Sequence, residues 1–414
     1  MLEAHNSAED STKPRAYRAQ WIVPISRPPI EDGVVAVQGG KIVFAGERRA
    51  WHEPVTDLGE VAILPGLVNA HTHLEFSEIP MPFGQRGEAF AKWIPQVVAH
   101  RRARAEAQQA VSVAAGLQES TANGVAVLGE IATIELLPQT TAATLAGTAF
   151  MEFLGWDRAA IPTLLDRARF FVTAPSAENW TRGLSPHAPY TVHRDLLAGL
   201  CDLAVEHNAP LAMHLAESPA EMEFLATGQG PLRAMLEAAG VWQPDFWQVP
   251  ISTRTILEQL ARAPRSLVIH GNQLHAPDWD FLAERRERMS VVYCPRTRDF
   301  FFPEQTYLLE QMLQRDVAVA IGTDSRASNP DLSLWSELQF IAEHHNVTPE
   351  EILRLGTEQG ARSLGFAATH GRLEAGYSAA LCVVRGVSLN VSAQEIFERL
   401  LAPESFAAGF ASAL

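Results

Sequence analysis

The sequence predicts an α/β protein: a closed parallel (β/α)8 TIM-type barrel with a small β-sandwich module formed from both chain ends. Three observations lead there. Eight short apolar runs alternate with longer segments of helical period between about residues 61 and 364. Histidines and acidic residues gather where those runs end, which is where a barrel of this kind places its chemistry. The flanks, residues 1–60 and 365–414, read instead as short strands joined by turn residues.

Each element follows in chain order. After a polar leader to about Arg15, YRAQWIVPI and VVAVQGGKIVFAG read as strands, the second folded at Gly39-Gly40 into a hairpin. The barrel runs are AILPGLVNA, GVAVLGE, LAGTAFMEF, GLSPHAP, PLAMHLAE, SLVIHGN, MSVVYCP and VAVAIGTD. Between them lie stretches with apolar residues at helical spacing, such as Glu88 to Gln118 and Leu196 to Glu206. A doubly wound open sheet is the competing architecture, but no GxGxxG opens a helix after the first run. Beyond Gly365, GRLEAGYSAALCVVRG returns to short strands.

Composition narrows the function. A chain of 414 residues, 47% hydrophobic and 20% charged, is an ordinary folded protein rather than a disordered or collagenous one. Its 33 basic residues against 48 acidic ones, a net charge of -15, argue against nucleic acid as partner and leave a small-molecule substrate open. Cys201, Cys294 and Cys382 are too few and too scattered for a disulfide framework or a metal knuckle. The charged start lacks the apolar stretch of a signal peptide, and no run approaches the ~18 apolar residues of a membrane helix. A cytoplasmic protein without membrane association is expected.

The chemistry sits at the ends of the runs. The first ends NAHTHLEFS; His71 and His73, two apart on an extended strand, leave the same face and can reach one ion. A lone histidine more often packs in a core, so this pair alone is a weak signal. The fifth run adds His214, with Glu217 three residues later; the sixth ends at His270 and the eighth at Asp324. Imidazole and carboxylate donors suit a divalent ion with an open position, zinc being the usual choice and iron or manganese alternatives. Dinuclear barrels generally bridge two ions through a modified lysine ending the fourth strand. Here lysine occurs only at positions 13, 41 and 92, so one ion is expected.

The ordered set HTH, SPHAPYTV, HLAES, HGN and GTDSRASN resembles the amidohydrolase superfamily. Within it the set is most similar to the cytosine/adenosine-type deaminase group, which includes S-adenosylhomocysteine, guanine and aminofutalosine deaminases and triazine hydrolases. The resemblance covers about Ile63 to Leu364 and implies one metal held by His71, His73, His214 and Asp324. It implies that Glu217 shuttles protons, that Asp324 helps move them, that His270 steadies the attacking water, and that His187 touches substrate. HTHLEFS, FAKWIPQVV and HLAESPAEMEFL look most like aminofutalosine deaminases, which implies 6-amino-6-deoxyfutalosine as candidate substrate. The third run lacks the arginines that S-adenosylhomocysteine deaminases use for the amino-acid tail, and Ala380 stands where relatives usually carry Asp. A homodimer is implied at family level only.

Further candidates are Trp93 and Glu75 at the entrance, Ser325, Ser328 and Asn329 for sugar hydroxyls, and Arg296 and Arg298 for a substrate anion. Each has a packing or surface explanation of similar weight. Cys294 reads as structural. The leading expectation is a hydrolytic deaminase of an amino-purine nucleoside or related amino-heterocycle. Opening of a cyclic amide, dechlorination of a triazine, and a non-catalytic binding barrel are the alternatives.

Overall fold

The computed structural model describes residues 13–133, 145–177, 179–247 and 249–410; residues 1–12 of the polar leader lie outside them. Near the N-terminus β1 (Arg15–Ile22), β2 (Ile30–Gln38) and β3 (Lys41–Glu47) form an antiparallel meander, β2 and β3 joined at the Gly39-Gly40 turn. The free edge of β1 takes β4 (Thr56–Asp57) and β5 (Ala62–Pro65), both parallel to it.

The barrel strands are β6 (Leu67–Thr72), β7 (Val125–Ala132), β8 (Ala146–Phe153), β9 (Trp180–Pro186) and β10 (Leu211–Leu215), then β11 (Ser266–His270), β12 (Met289–Tyr293) and β13 (Val319–Ile321). Every neighbouring pair is parallel and follows chain order. Nearly all of these strand residues are buried, as expected of strands covered on both faces. The first and last strands meet at a Thr72–Asp324 bridge, where the Asp324 N–H donates to the His71 carbonyl at 3.0 Å. Asn69 reinforces the seam: its Nδ2 donates to Thr323 Oγ1 at 2.8 Å and its Oδ1 accepts the Thr323 N–H at 3.1 Å. Barrel closure therefore sets two of the candidate ligands, His71 and Asp324, side by side.

After the barrel, β14 (Leu381–Arg385) pairs with β5, and β15 (Phe406–Gly409) with β14. The module from the chain ends is thus one mixed seven-stranded sheet, because β1 uses both of its edges. The run AILPGLVNA divides: residues 62–65 belong to this sheet and the barrel strand starts at Leu67. Gly66 is where the chain crosses over. A Cβ there would lie 2.3 Å from the Ala126 Cβ and 2.9 Å from the Ala380 carbonyl oxygen, so only glycine fits.

The expected helical stretch from Glu88 to Gln118 is also two elements, Phe90–Arg102 and Glu106–Ala122. Arg104, in the break, donates to the Glu75 carbonyl at 2.8 Å and to Glu78 at 2.7 Å, tying the corner to the turn after β6. None of the described helices is long and apolar enough to cross a membrane.

Candidate active site

At the C-terminal end of the barrel a cavity of about 870 Å³ opens, with His73, His214, Glu217, His270 and Asp324 at its base. His71 lies fully buried with them, its ring 4.8 Å from that of His73 and 5.0 Å from that of His214. His73 Nε2 is 3.3 Å from His214 Nε2, while Asp324 Oδ1 lies 3.4 Å from His71 Nε2 and 3.6 Å from His73 Nε2. Gly322 lets this happen, since a Cβ there would stand 2.8 Å from the His71 Cβ.

Local hydrogen bonds aim these donors. His214 Nδ1 donates to the His187 carbonyl at 3.0 Å, which leaves its Nε2 lone pair facing the cluster. Ser328 Oγ donates to Asp324 Oδ2 at 3.0 Å and leaves Oδ1 facing the histidines. The strand ends are bent to reach: Ala216, His270 and Asp324 have φ of 56°, 68° and 59°, the left-handed region that non-glycine residues rarely adopt and that clusters at functional sites.

Burial pushes the His71 and His214 imidazoles down to about 3 and holds those of His73 and His270 well below the ordinary value. They are neutral at physiological pH. Both ring nitrogens of His71 and the Nδ1 atoms of His73 and His270 lack hydrogen-bond partners. The His71 Nε2 atom, unpartnered and facing Asp324, and the Nε2 atoms of His73 and His214 beside it converge on one point, where a cation would satisfy them together. Two overlapping donor groups, His71–His214–His270 and His71–His73–Asp324, have their donor atoms within 4.8 Å of one another. The residues present fit a divalent ion.

Glu217 borders this cluster, with Oε1 3.4 Å from His270 Nε2. Burial, then the nearby Asp324 and Glu221 carboxylates, raise its carboxyl well above the usual range. Its backbone is held from behind, since Glu221 accepts the N–H groups of Ala216 (2.7 Å) and Glu217 (2.9 Å) and Asn272 donates to the Glu217 carbonyl (2.9 Å).

The profile of the amidohydrolase family matches residues 62–406, a span holding the whole barrel and this cluster. The chain belongs to the amidohydrolase family. Among this amidohydrolase's relatives, aminodeoxyfutalosine deaminase of Deinococcus radiodurans is 30% identical over 364 residues, 80% of this chain and 81% of the relative. The crystal structure of Helicobacter pylori aminofutalosine deaminase in complex with methylthio-coformycin shares the fold with a TM-score of 0.81 at 20% identity, covering 95% of this chain and 97% of that one. An adenosine deaminase from Xanthomonas campestris with bound zinc superposes with a TM-score of 0.69 at 25% identity, over 95% of this chain and 89% of that one.

The other sequence candidates divide between the cavity and the scaffold. His187, Trp93 and Ser325 line the cavity of this amidohydrolase. His187 Nδ1 is paired with Thr191 Oγ1 at 2.7 Å, and Trp93 Nε1 donates to the Ala327 carbonyl at 3.2 Å. Glu75 is instead buried behind the wall, accepting from Arg101. Ser328 is committed to Asp324, and Asn329 donates to the Thr323 carbonyl and to Glu337, so neither hydroxyl nor amide is turned to a sugar. Arg296 is neither a substrate contact nor a surface arginine: Asp331 (2.6 Å) and Glu337 (2.7 Å) hold it. Cys294 is buried. Sequence reasoning passed over Glu130, Glu152, Arg101 and Glu221. Glu130 accepts from Thr72 Oγ1 at 2.6 Å and from the Leu74 N–H, shaping the turn that carries His73. Glu221 had a legible signal, the Ser-x-x-Glu start of a helix at Ser218.

Proposed function

We propose that this amidohydrolase is a hydrolytic deaminase of amino-purine nucleosides, with 6-amino-6-deoxyfutalosine as its candidate substrate. The observation that carries the reading is a buried carboxyl, Glu217, beside a converging set of imidazoles at the base of a cavity of about 870 Å³. His71, His73, His214 and Asp324 would hold one divalent ion, zinc being the usual occupant of such a donor set. When bound, the ion would acidify a water so that a nucleophilic oxygen is available at neutral pH.

The side chains account for the remaining steps. Glu217 takes a proton from the water and gives it to the ring nitrogen next to the amino-bearing carbon, so that carbon accepts the oxygen. His270, 3.4 Å from Glu217, keeps the oxygen in line. Asp324, with one oxygen fixed by Ser328, assists return of a proton to the amine, which departs as ammonia and leaves a ring carbonyl. His187, Trp93 and Ser325 position the heterocycle. The upper cavity is walled by apolar side chains such as Ile94, Val97, Val98, Leu154, Trp156 and Met235, suited to a nucleoside with an apolar substituent.

The D. radiodurans relative supports this substrate class by its name. The test is ammonia release from 6-amino-6-deoxyfutalosine, adenosine, methylthioadenosine, S-adenosylhomocysteine and guanine by zinc-supplemented protein. Turnover is expected, highest on the first. No release from any amino-purine rejects the reading.

A further inference from the structure

One charged cluster on the cavity wall has no part in the steps above. Arg101, on the helix Phe90–Arg102, donates from Nη2 to Glu75 Oε1 at 2.8 Å and from Nη1 to Glu152 Oε2 at 3.2 Å. Glu75 sits behind the guanidinium, while Glu152, near the end of β8, is part of the cavity lining. The Glu152 side chain is only 1% exposed, yet its Oε1 has no hydrogen-bond partner. It lies 3.8 Å from His187 Nε2, beyond hydrogen-bond length.

A buried carboxylate oxygen left bare is costly, and a carboxylate can only accept. The wall therefore lacks a donor at this point. Arg101 gives both of its outer nitrogens to carboxylates, and a cluster of one cation and two acids disfavours a substrate anion. The arrangement suits a neutral O–H or N–H group entering beside His187.

We propose that Glu152, aimed by Arg101, is a specificity-determining residue: its Oε1 accepts a hydrogen bond from a donor on the substrate, next to the reacting ring. This rests on the deaminase reading. Two parts of an amino-purine nucleoside can supply the donor, a sugar hydroxyl or an additional ring amine.

The experiment compares wild type, Glu152→Ala and Glu152→Gln on adenosine, 2′-deoxyadenosine, 3′-deoxyadenosine and 2-aminoadenosine. It reads kcat and KM, and dissociation constants by calorimetry. If a sugar hydroxyl is the donor, wild type loses about 10- to 100-fold in kcat/KM on one deoxy compound, the span of one hydrogen bond to a charged group. If a ring amine is the donor, wild type instead prefers 2-aminoadenosine by a similar factor. In Glu152→Ala that difference shrinks to less than about threefold, as expected when one mutation has already removed the shared interaction. Glu152→Gln, which keeps the contact with Arg101, falls between the two. Wild type that treats all four compounds alike overturns the proposal, as does a variant that loses the same factor on each. Those outcomes leave the deaminase reading standing, whereas absence of turnover and binding for all four and for 6-amino-6-deoxyfutalosine removes both.

Discussion

Replacing Glu217 by Gln keeps the side-chain volume and removes the titrating oxygen. The surroundings should hold: Glu221 and Asn272 grip the backbone of residue 217, and neither bond involves its side chain. The buried carboxyl also faces Asp324 and Glu221, so a neutral amide relieves repulsion and the melting temperature should stay level or rise. Catalysis should suffer. Loss of a positioned acid/base costs about 10²–10⁴-fold, or about 3–5 kcal/mol of barrier. The upper half of that range is expected, because the side chain is only 7% exposed and bulk water has little access to replace its proton transfers. The assay is ammonia release under saturating substrate, with metal content and melting temperature recorded on the same sample. A folded, metal-loaded variant retaining more than about a tenth of the wild-type kcat would refute the role given to Glu217.

Other perturbations have defined outcomes. Ser328→Ala frees Asp324 Oδ2 and should weaken divalent-ion affinity by about 10–100-fold, the usual effect of losing a partner of a ligand; chelator competition unchanged from wild type would contradict this. Gly66→Ala forces a Cβ against Ala126 and the Ala380 carbonyl and should cost about 1–3 kcal/mol in denaturant unfolding, where an unchanged midpoint would show that the crossover has slack. Burial pushes His370 down to about 4, so the unfolded chain binds its proton first as pH falls from 6.5 toward 4. Stability contributed by neutral His370 is therefore full above pH 6.5 and lost on acidification. The advantage of wild type over His370→Asn should shrink by about 2.5 kcal/mol between pH 7.5 and 4.5, and a constant difference would count against its burial as a neutral ring.

Much of the architecture was legible because a parallel barrel imposes a strong pattern. Strands buried on both faces read as continuous apolar runs, and all eight became barrel strands. What periodicity could not resolve was a change of partner inside one run. AILPGLVNA is uniformly apolar, and only the close approach of Ala126 and Ala380 to Gly66 shows where it leaves one sheet for the other. The HxH pair and the residues ending the fifth, sixth and eighth strands could be read as one site because all parallel strands of a closed barrel end at the same mouth. Contacts made across loops were not readable. Arg101 and Glu152 are 51 positions apart and meet only through the docking of a helix over the barrel mouth. Arg296 looked like a loop arginine because its partners Asp331 and Glu337 lie beyond the next strand.

Everything turns on whether the buried imidazoles converge on a cation. Elemental analysis of protein purified with zinc in the medium, alongside His71→Asn and Asp324→Asn, addresses this directly. About one equivalent of divalent metal per wild-type chain, and little in either variant, is the expected result for a single four-donor site. A folded wild-type protein that carries none, or variants that retain the full equivalent, would contradict the account.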